Sequence, residues 1–410
     1  MKLTAYLLKM LISGCTFILQ ITPMKRCIVA FFILSSFAVH AQDDVFRTIQ
    51  TRAIEAADGD TLFLPEGNFL FNRSINIDGK KNFVVMGAGI NKTVLSFKGQ
   101  IDGAEGLKVN RCEGIVLSNF TIQDAKGDCI KMLNCSDVMM KNVRTEWTSK
   151  PSPKNGAYGI YPVSCKNITL DGCEAIGASD AGIYVGQSYD VVVKNCLAKN
   201  NVAGIEIENC VNADVYNNIA TENTGGILVF DMPELPLKRG RNIKVHENKI
   251  IHNNYKNFAP KGNIVGEVPP GTGVMVLASE NVEIYNNEIS GHRTASVGII
   301  SWFISERPYK DDQYNPFPFF VQVKNNTIVR SKKGPSSQTK VGLLIGFKFG
   351  KNPPAIIYDG IIDPAKTAGG PEENPNQICI HGNTDDSFAN LDAGNNFKGL
   401  SRDGKKYLCK

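Results

Sequence analysis

Apolar and polar positions alternate along this chain in short runs, and the run keeps returning. Its clearest copy lies within Ala178–Cys196, where Gly182-Ile183-Tyr184-Val185 is followed, after a polar turn, by Val191-Val192-Val193. The first half, Gly-apolar-x-apolar, recurs at Gly106, Gly159, Gly204, Gly226, Gly273, Gly298 and Gly342, and at Cys129 without the glycine. The second half recurs at Ile115, Val138, Ile168, Ala213, Ile243, Val282 and Val321, and Asn follows many copies, as at Asn119, Asn142, Asn195, Asn217 and Asn286. The steps from Gly159 to Gly182 and from Gly182 to Gly204 are 23 and 22 residues. Period-two runs this short are strands. A unit of this size cannot bury its apolar side alone, so successive copies must stack. Coils of about 22 residues with three short strands predict an all-β chain folded as a right-handed parallel β-helix.

The N-terminal part adds Ala53-Ile54-Glu55-Ala56-Ala57, then Gly59-Asp60-Thr61-Leu62-Phe63-Leu64-Pro65-Glu66-Gly67, and later Gly87-Ala88-Gly89 with Thr93-Val94-Leu95. That order resembles the opening of secreted bacterial β-helix proteins of the pectate-lyase-like superfamily. These include polysaccharide lyases, alginate C5-epimerases and NosD-like periplasmic proteins. The resemblance spans residues 43–329 and implies the fold, with function left to the site. Phe46, Ile49, Ala53, Ile54 and Ala57 are spaced for one face of a short helix covering the first coil, where a bare sheet edge would invite pairing.

Residues 1–41 read as a targeting segment, with a basic start at Met24-Lys25-Arg26, an apolar run from Cys27 to Val39 and a small-residue cleavage site at Ala41. A lipoprotein signal ending at Cys15 ranks second, because Lys9 interrupts its apolar run. The expected organisation is therefore an exported chain, periplasmic or extracellular, with the β-helix over 42–350 and a C-terminal cap over 351–410. Nothing after Ala41 is apolar for long enough to span a membrane. The 45 basic and 40 acidic residues give a formal charge of +5, and Lys2, Lys9, Lys25 and Arg26 leave with the leader. The remaining near-neutral chain gives no electrostatic support for nucleic-acid binding. It is expected to act as a monomer.

Three insertions break the repeat: Asp231–Arg241, His252–Thr272 and Ser305–Pro318. In a solenoid such inserts gather on one side and are expected here as the walls of a groove, since they carry Tyr255, Phe258, Lys261, Tyr309 and Tyr314. Cys112, Cys135, Cys165 and Cys210 each stand three residues before a second-half strand, and Ser188 takes that place in another copy. Same-place cysteines read as an inward stack of small apolar side chains. No Cys-x-x-Cys pair suggests zinc. Cys379 and Cys409 lie outside the coils, where a disulfide would pin the cap of an exported protein.

In Gly-apolar-x-apolar the apolar pair points inward and x points out. Down the stack, x reads Lys108, Lys131, Tyr161, Tyr184, Glu206, Leu228 and Met275. The next outward place adds Gln187, Glu208 and Asp231, and the preceding turn adds Asp128, Tyr158 and Asp180. Rungs about 4.8 Å apart would bring these into one polar column. For an acidic polysaccharide, Lys131 or Lys108 would neutralise a uronate carboxylate or remove a proton, and Tyr161 or Tyr184 would donate or accept one. Glu206, Glu208, Asp180 and Asp231 would orient the tyrosines, hold sugar hydroxyls or bind Ca²⁺. Lys108, Asp128, Tyr158, Gln187, Glu208, Asp231 and Lys261 are the candidate substrate contacts; Lys131, Tyr161, Tyr184, Glu206 and Asp180 are the catalytic ones.

The family motifs are not complete. Gly127-Asp128-Cys129 resembles the polygalacturonase Gly-Asp-Asp-Cys with one aspartate missing, and Ala181-Gly182 lacks the histidine of that family's Gly-His-Gly. The Asp-Pro-His-Asp of alginate epimerases is absent; Asp363-Pro364-Ala365-Lys366 lies outside the coils. Lyase or C5-epimerase chemistry on uronates is expected first. A non-catalytic glycan-binding or periplasmic assembly role, and hydrolysis by Asp128 with Asp180, are the alternatives.

Overall fold

A computed structural model describes residues 45–367 and 374–409. The targeting segment expected over 1–41, with Cys15 and Met24, lies outside the described residues. The solenoid lies within the compact unit Ile49–Lys410. There the chain climbs as a right-handed parallel β-helix, one coil per repeat. Strands such as Ala181–Gly186, Tyr189–Lys194 and Leu197–Lys199 pair in parallel with Ala203–Glu208, Val211–Tyr216 and Ile219–Thr221 of the next coil. Eleven strands form one sheet. The other two columns fuse into a second sheet because Glu113–Gln123 and Ser136–Glu146 run through both.

The alternation in the sequence sets which side chains fill the bore. Ile183, Ile205, Ile227, Val274 and Val297 stack in register and are fully buried. The recurrent Asn119, Asn142, Asn195, Asn217 and Asn286 all adopt left-handed backbone, with φ of 50–60°, at the corner after a second-half strand. Asn tolerates that conformation better than most residues. Their neighbours build an internal ladder: the side-chain amides of Asn218, Asn248, Asn287, Asn326 and Asn383 bond each to the next at 2.8–3.0 Å. A parallel ladder runs Asn201, Asn223, Asn253 and ends on His292. The repeat glycines are explained by that second ladder. A Cβ on Gly204 or Gly226 would press on the next coil's backbone carbonyl and a ladder amide. Cys112, Cys135, Cys165 and Cys210 are buried and unbonded, with Ser188 buried among them.

Three expectations are corrected. The helix over 45–55 buries Ile49 and Ala53, but Ile54 is 66% exposed and Ala57 lies past its end. Gly342-Leu343-Leu344-Ile345 is not a rung. It lies in the α-helix Lys340–Phe349, whose Thr339 side chain caps Gly342 N and whose Ile345 and Phe349 pack inward. Nor do the rungs stop at residue 350: Ile356–Tyr358, Cys379–His381 and Phe388–Asn390 extend both sheets. Cys379 and Cys409 are joined as a disulfide, with Cα atoms 4.8 Å apart.

Candidate functional site

The x positions do form one column on the outer face of the eleven-stranded sheet. Lys108 pairs with Lys131 and Lys131 with Tyr161; further on Tyr184 pairs with Glu206, Glu206 with Leu228 and Leu228 with Met275. The inserts do not wall this face; they lie on it. Phe258, Val265 and Val268 of one insert, with Tyr314 of another and Trp302 just ahead of it, cluster with Tyr184, Leu228, Phe230, Met275 and Leu277 as a second apolar core outside the bore. Each such apolar side chain withdrawn from water contributes about 1.5–3 kcal/mol. Polar bonds fasten the inserts together. Arg307 grips Glu267 through Nε at 2.9 Å and Nη2 at 2.6 Å, Lys238 pairs with Asp311, and Tyr314 Oη donates to Asp231 O at 2.6 Å. From Tyr184 onward the expected solvent-facing positions are therefore buried, Glu206 to 1% exposure.

The cover ends at Asn263, whose Nδ2 donates to Asp180 Oδ2 at 2.7 Å. Past that lip the face is open, and the remaining candidates gather there. Tyr158 and Tyr161 stack with centroids 4.2 Å apart, and Tyr184 lies 4.9 Å from each. Lys131 Nζ sits 5.1 Å over the Tyr161 ring, 3.4 Å from Asp128 Oδ2 and 3.8 Å from Glu105 Oε1. Lys108 continues the column on the open side. Glu105 and Asn263 complete the lip and were missed. A signal for Glu105 existed, because it precedes the repeat glycine as Asp128 precedes Cys129.

Other candidates fall elsewhere. Gln187 is not level with Glu208; Gly186 is, and Gln187 has turned into a left-handed corner with φ 51°. Asp231 lies under the inserts, with Oδ1 accepting from Gly240 N at 2.7 Å. Lys261 is exposed on the covering insert, two residues from Asn263.

Burial decides the electrostatics behind the lip. Desolvation pushes the Asp180 carboxyl up to about 6, with the Asp128 charge adding to the rise while Asn263 and the Tyr158 phenol oppose it. Glu208 rises to about 7 by desolvation, partly offset by Tyr184 Oη, which donates to its Oε1 at 2.6 Å. Glu206, desolvated and beside Glu208 and Asp180, is held well above the carboxylate range, and its Oε2 has no hydrogen-bond partner. Asp128 is also raised by desolvation, but Lys131 pulls it back. Tyr158, Tyr161 and Tyr184 are all raised, first by desolvation and then by the neighbouring carboxylates. The phenols are thus proton holders near neutral pH. For Ca²⁺, no group of three His, Cys, Asp or Glu side chains is placed to hold a metal ion among the described residues. No helix among them is long and apolar enough to cross a membrane.

Residues 74–235 match the right-handed β-helix region family. The chain is 26% identical over 230 residues to the pre-neck appendage protein of Bacillus phage B103, covering 46% of this chain and 26% of that one. It is 24% identical over 282 residues to the pre-neck appendage protein of Bacillus phage phi29, covering 60% and 33%. The chain thus spans about a quarter to a third of the length of these curated relatives. A solved structure, the A-module of a mannuronan C-5 epimerase from Azotobacter vinelandii, matches at TM-score 0.49 and 15% identity, covering 82% of this chain and 89% of that one.

Proposed function

We propose that this protein is an exported carbohydrate-active enzyme that hydrolyses a glycosidic bond at the lip of the covered sheet, with Asp180 as general acid and Asp128 as general base. The observation that carries this reading is the split between two neighbouring aspartates. Asp180 is desolvated to a pKa of about 6 and can carry a proton to the leaving oxygen. Asp128 has the Lys131 ammonium 3.4 Å away, which favours the ionised form that a base needs to activate water. The stacked, half-buried rings of Tyr158 and Tyr161 lie on the rung between the two aspartates. Two strand spacings place the aspartate backbones about 10 Å apart, nearer the carboxyl separation of an inverting pair than the ~5 Å of a retaining one. The Cys379–Cys409 disulfide supports export.

Uronate elimination or epimerisation ranks second. Lys131 facing Tyr161 favours it. Against it, Lys131 is flanked by two carboxylates, and the raised tyrosines are poor bases.

The test is incubation with alginate, pectate, glycosaminoglycans and neutral glucans, read by new reducing ends and by ultraviolet absorbance together. Reducing ends without absorbance, of inverted anomeric configuration by NMR, are expected. Asp180→Asn should lose about 100-fold or more in rate. Activity should fall as pH rises through about 6, because the acid must be protonated. Asn263→Ala should move that limb upward, since Asn263 stabilises the ionised form. An absorbance rise would replace hydrolysis by elimination, and no change on any substrate would leave a glycan-binding role.

A further inference from the structure

A pocket of about 610 Å³ opens at the far end of the solenoid, on the corner that leads into the eleven-stranded sheet. It lies four rungs beyond Asp180, about 19 Å on strand spacing, and shares no residue with the lip. Its wall carries Arg330, Lys332 and Arg402, and no carboxylate is among its lining residues. Arg330 is oriented by Asp385, which Nε meets at 2.5 Å, and by Pro353 O, which Nη1 meets at 2.8 Å. These bonds leave Nη2 uncommitted. The Arg402 guanidinium rests 4.9 Å over the Phe349 ring without a carboxylate partner, and Lys332 is exposed.

Two buried groups in the same wall lack the bonds that burial demands. His292 ends the inner ladder, where Asn253 Nδ2 lies 3.2 Å from its Nε2. Asn253 Oδ1 already accepts from Asn223, so the amide orientation is fixed and Nε2 is the acceptor. The ring proton is then on Nδ1, which has no partner. Ser296 stands where earlier rungs have glycine, and its buried Oγ is also unpartnered. A buried donor without an acceptor costs about 1–3 kcal/mol, and both atoms lie beneath the pocket surface rather than on it.

We propose that this pocket binds an anionic sugar residue, its carboxylate or sulfate held by Arg402, Lys332 and the uncommitted edge of Arg330, and its ring against Phe388. Guanidinium groups match the planar oxyanion, and the volume suits one or two sugar units. The site is independent of the hydrolytic reading and makes the C-terminal coils a second glycan contact.

Isothermal titration of the full chain tests it with four probes: oligogalacturonate, a heparin-derived oligosaccharide, neutral maltotetraose and inorganic sulfate. One or both anionic oligosaccharides should bind, maltotetraose should not, and sulfate should bind more weakly. Arg402→Gln with Lys332→Gln, both exposed, should reduce affinity about tenfold or more without lowering the melting temperature. Equal binding of maltotetraose, no binding of any probe, or full affinity in the double variant would overturn the proposal. Sulfate binding as tightly as the oligosaccharides would reduce the pocket to an ion site and overturn its sugar assignment.

Discussion

Two halves of one outward-facing column behave differently although their backbones are the same. Lys108, Lys131 and Tyr161 are only half-buried, whereas Glu206, Leu228 and Met275, further along the same column, lie buried under the inserts. A rung decides only the direction of a side chain. What the side chain meets is decided by segments inserted far along the sequence. The difference is chemical as well as structural: burial lifts the Asp180 carboxyl to about 6 and that of Glu208 to about 7, and at the boundary between the halves Asp128 is also raised by desolvation, with Lys131 opposing the rise.

Stripping the cover should have the largest effect. Trp302→Ala removes a 4%-exposed ring that packs on the covered column, and should lower stability by about 3–5 kcal/mol. Thermal denaturation would show it, and limited proteolysis should cut within 252–271 sooner than in the parent. An unchanged melting point would mean that the inserts are not a second core.

Next in size is the electrostatic penalty of the cover. Asp231 is raised to about 7 in the folded chain, chiefly by desolvation, against about 3.9 unfolded. The folded state therefore binds the proton more tightly, and stability is lost as pH rises from about 4 through 7, on the order of 4 kcal/mol at the upper end. Asp231→Asn should flatten that slope in melting curves taken at pH 5 and pH 8. A parallel slope in both proteins would place the penalty elsewhere, at Glu206 or Glu208. The smallest effect belongs to the open half, where Lys108→Ala should change stability by no more than about 0.5 kcal/mol. A large loss there would show that the open face is also covered.

Much of the architecture is readable in the chain because it is local and repeated. Glycine at 204 and 226, left-handed Asn at 195 and 217, and small Cys at 165 and 210 each answer a constraint that recurs on every rung. Singular features are less legible. Gly342-Leu343-Leu344-Ile345 matches the strand pattern over four residues, yet the Thr339 cap and the inward Ile345 and Phe349 select a helix. Gln187 stands five residues after its repeat glycine and Glu208 only four after its own, so Gly186 takes the place level with Glu208 and Gln187 falls in a left-handed corner. Asn263 reaches Asp180 across 83 residues, a contact that no local pattern announces.

The sequence by itself determined the coil, its register and the side on which Lys131, Tyr161, Tyr184 and Glu206 emerge, since alternation is a property of the extended backbone. Only the tertiary structure decided which of them meet water. The inserts carry no period of their own, and their place is set by the apolar surface they find, Phe258 and Tyr314 clustering with Leu228 and Met275. Where that apolar contact ends, at Asn263 and Asp180, the candidate site begins.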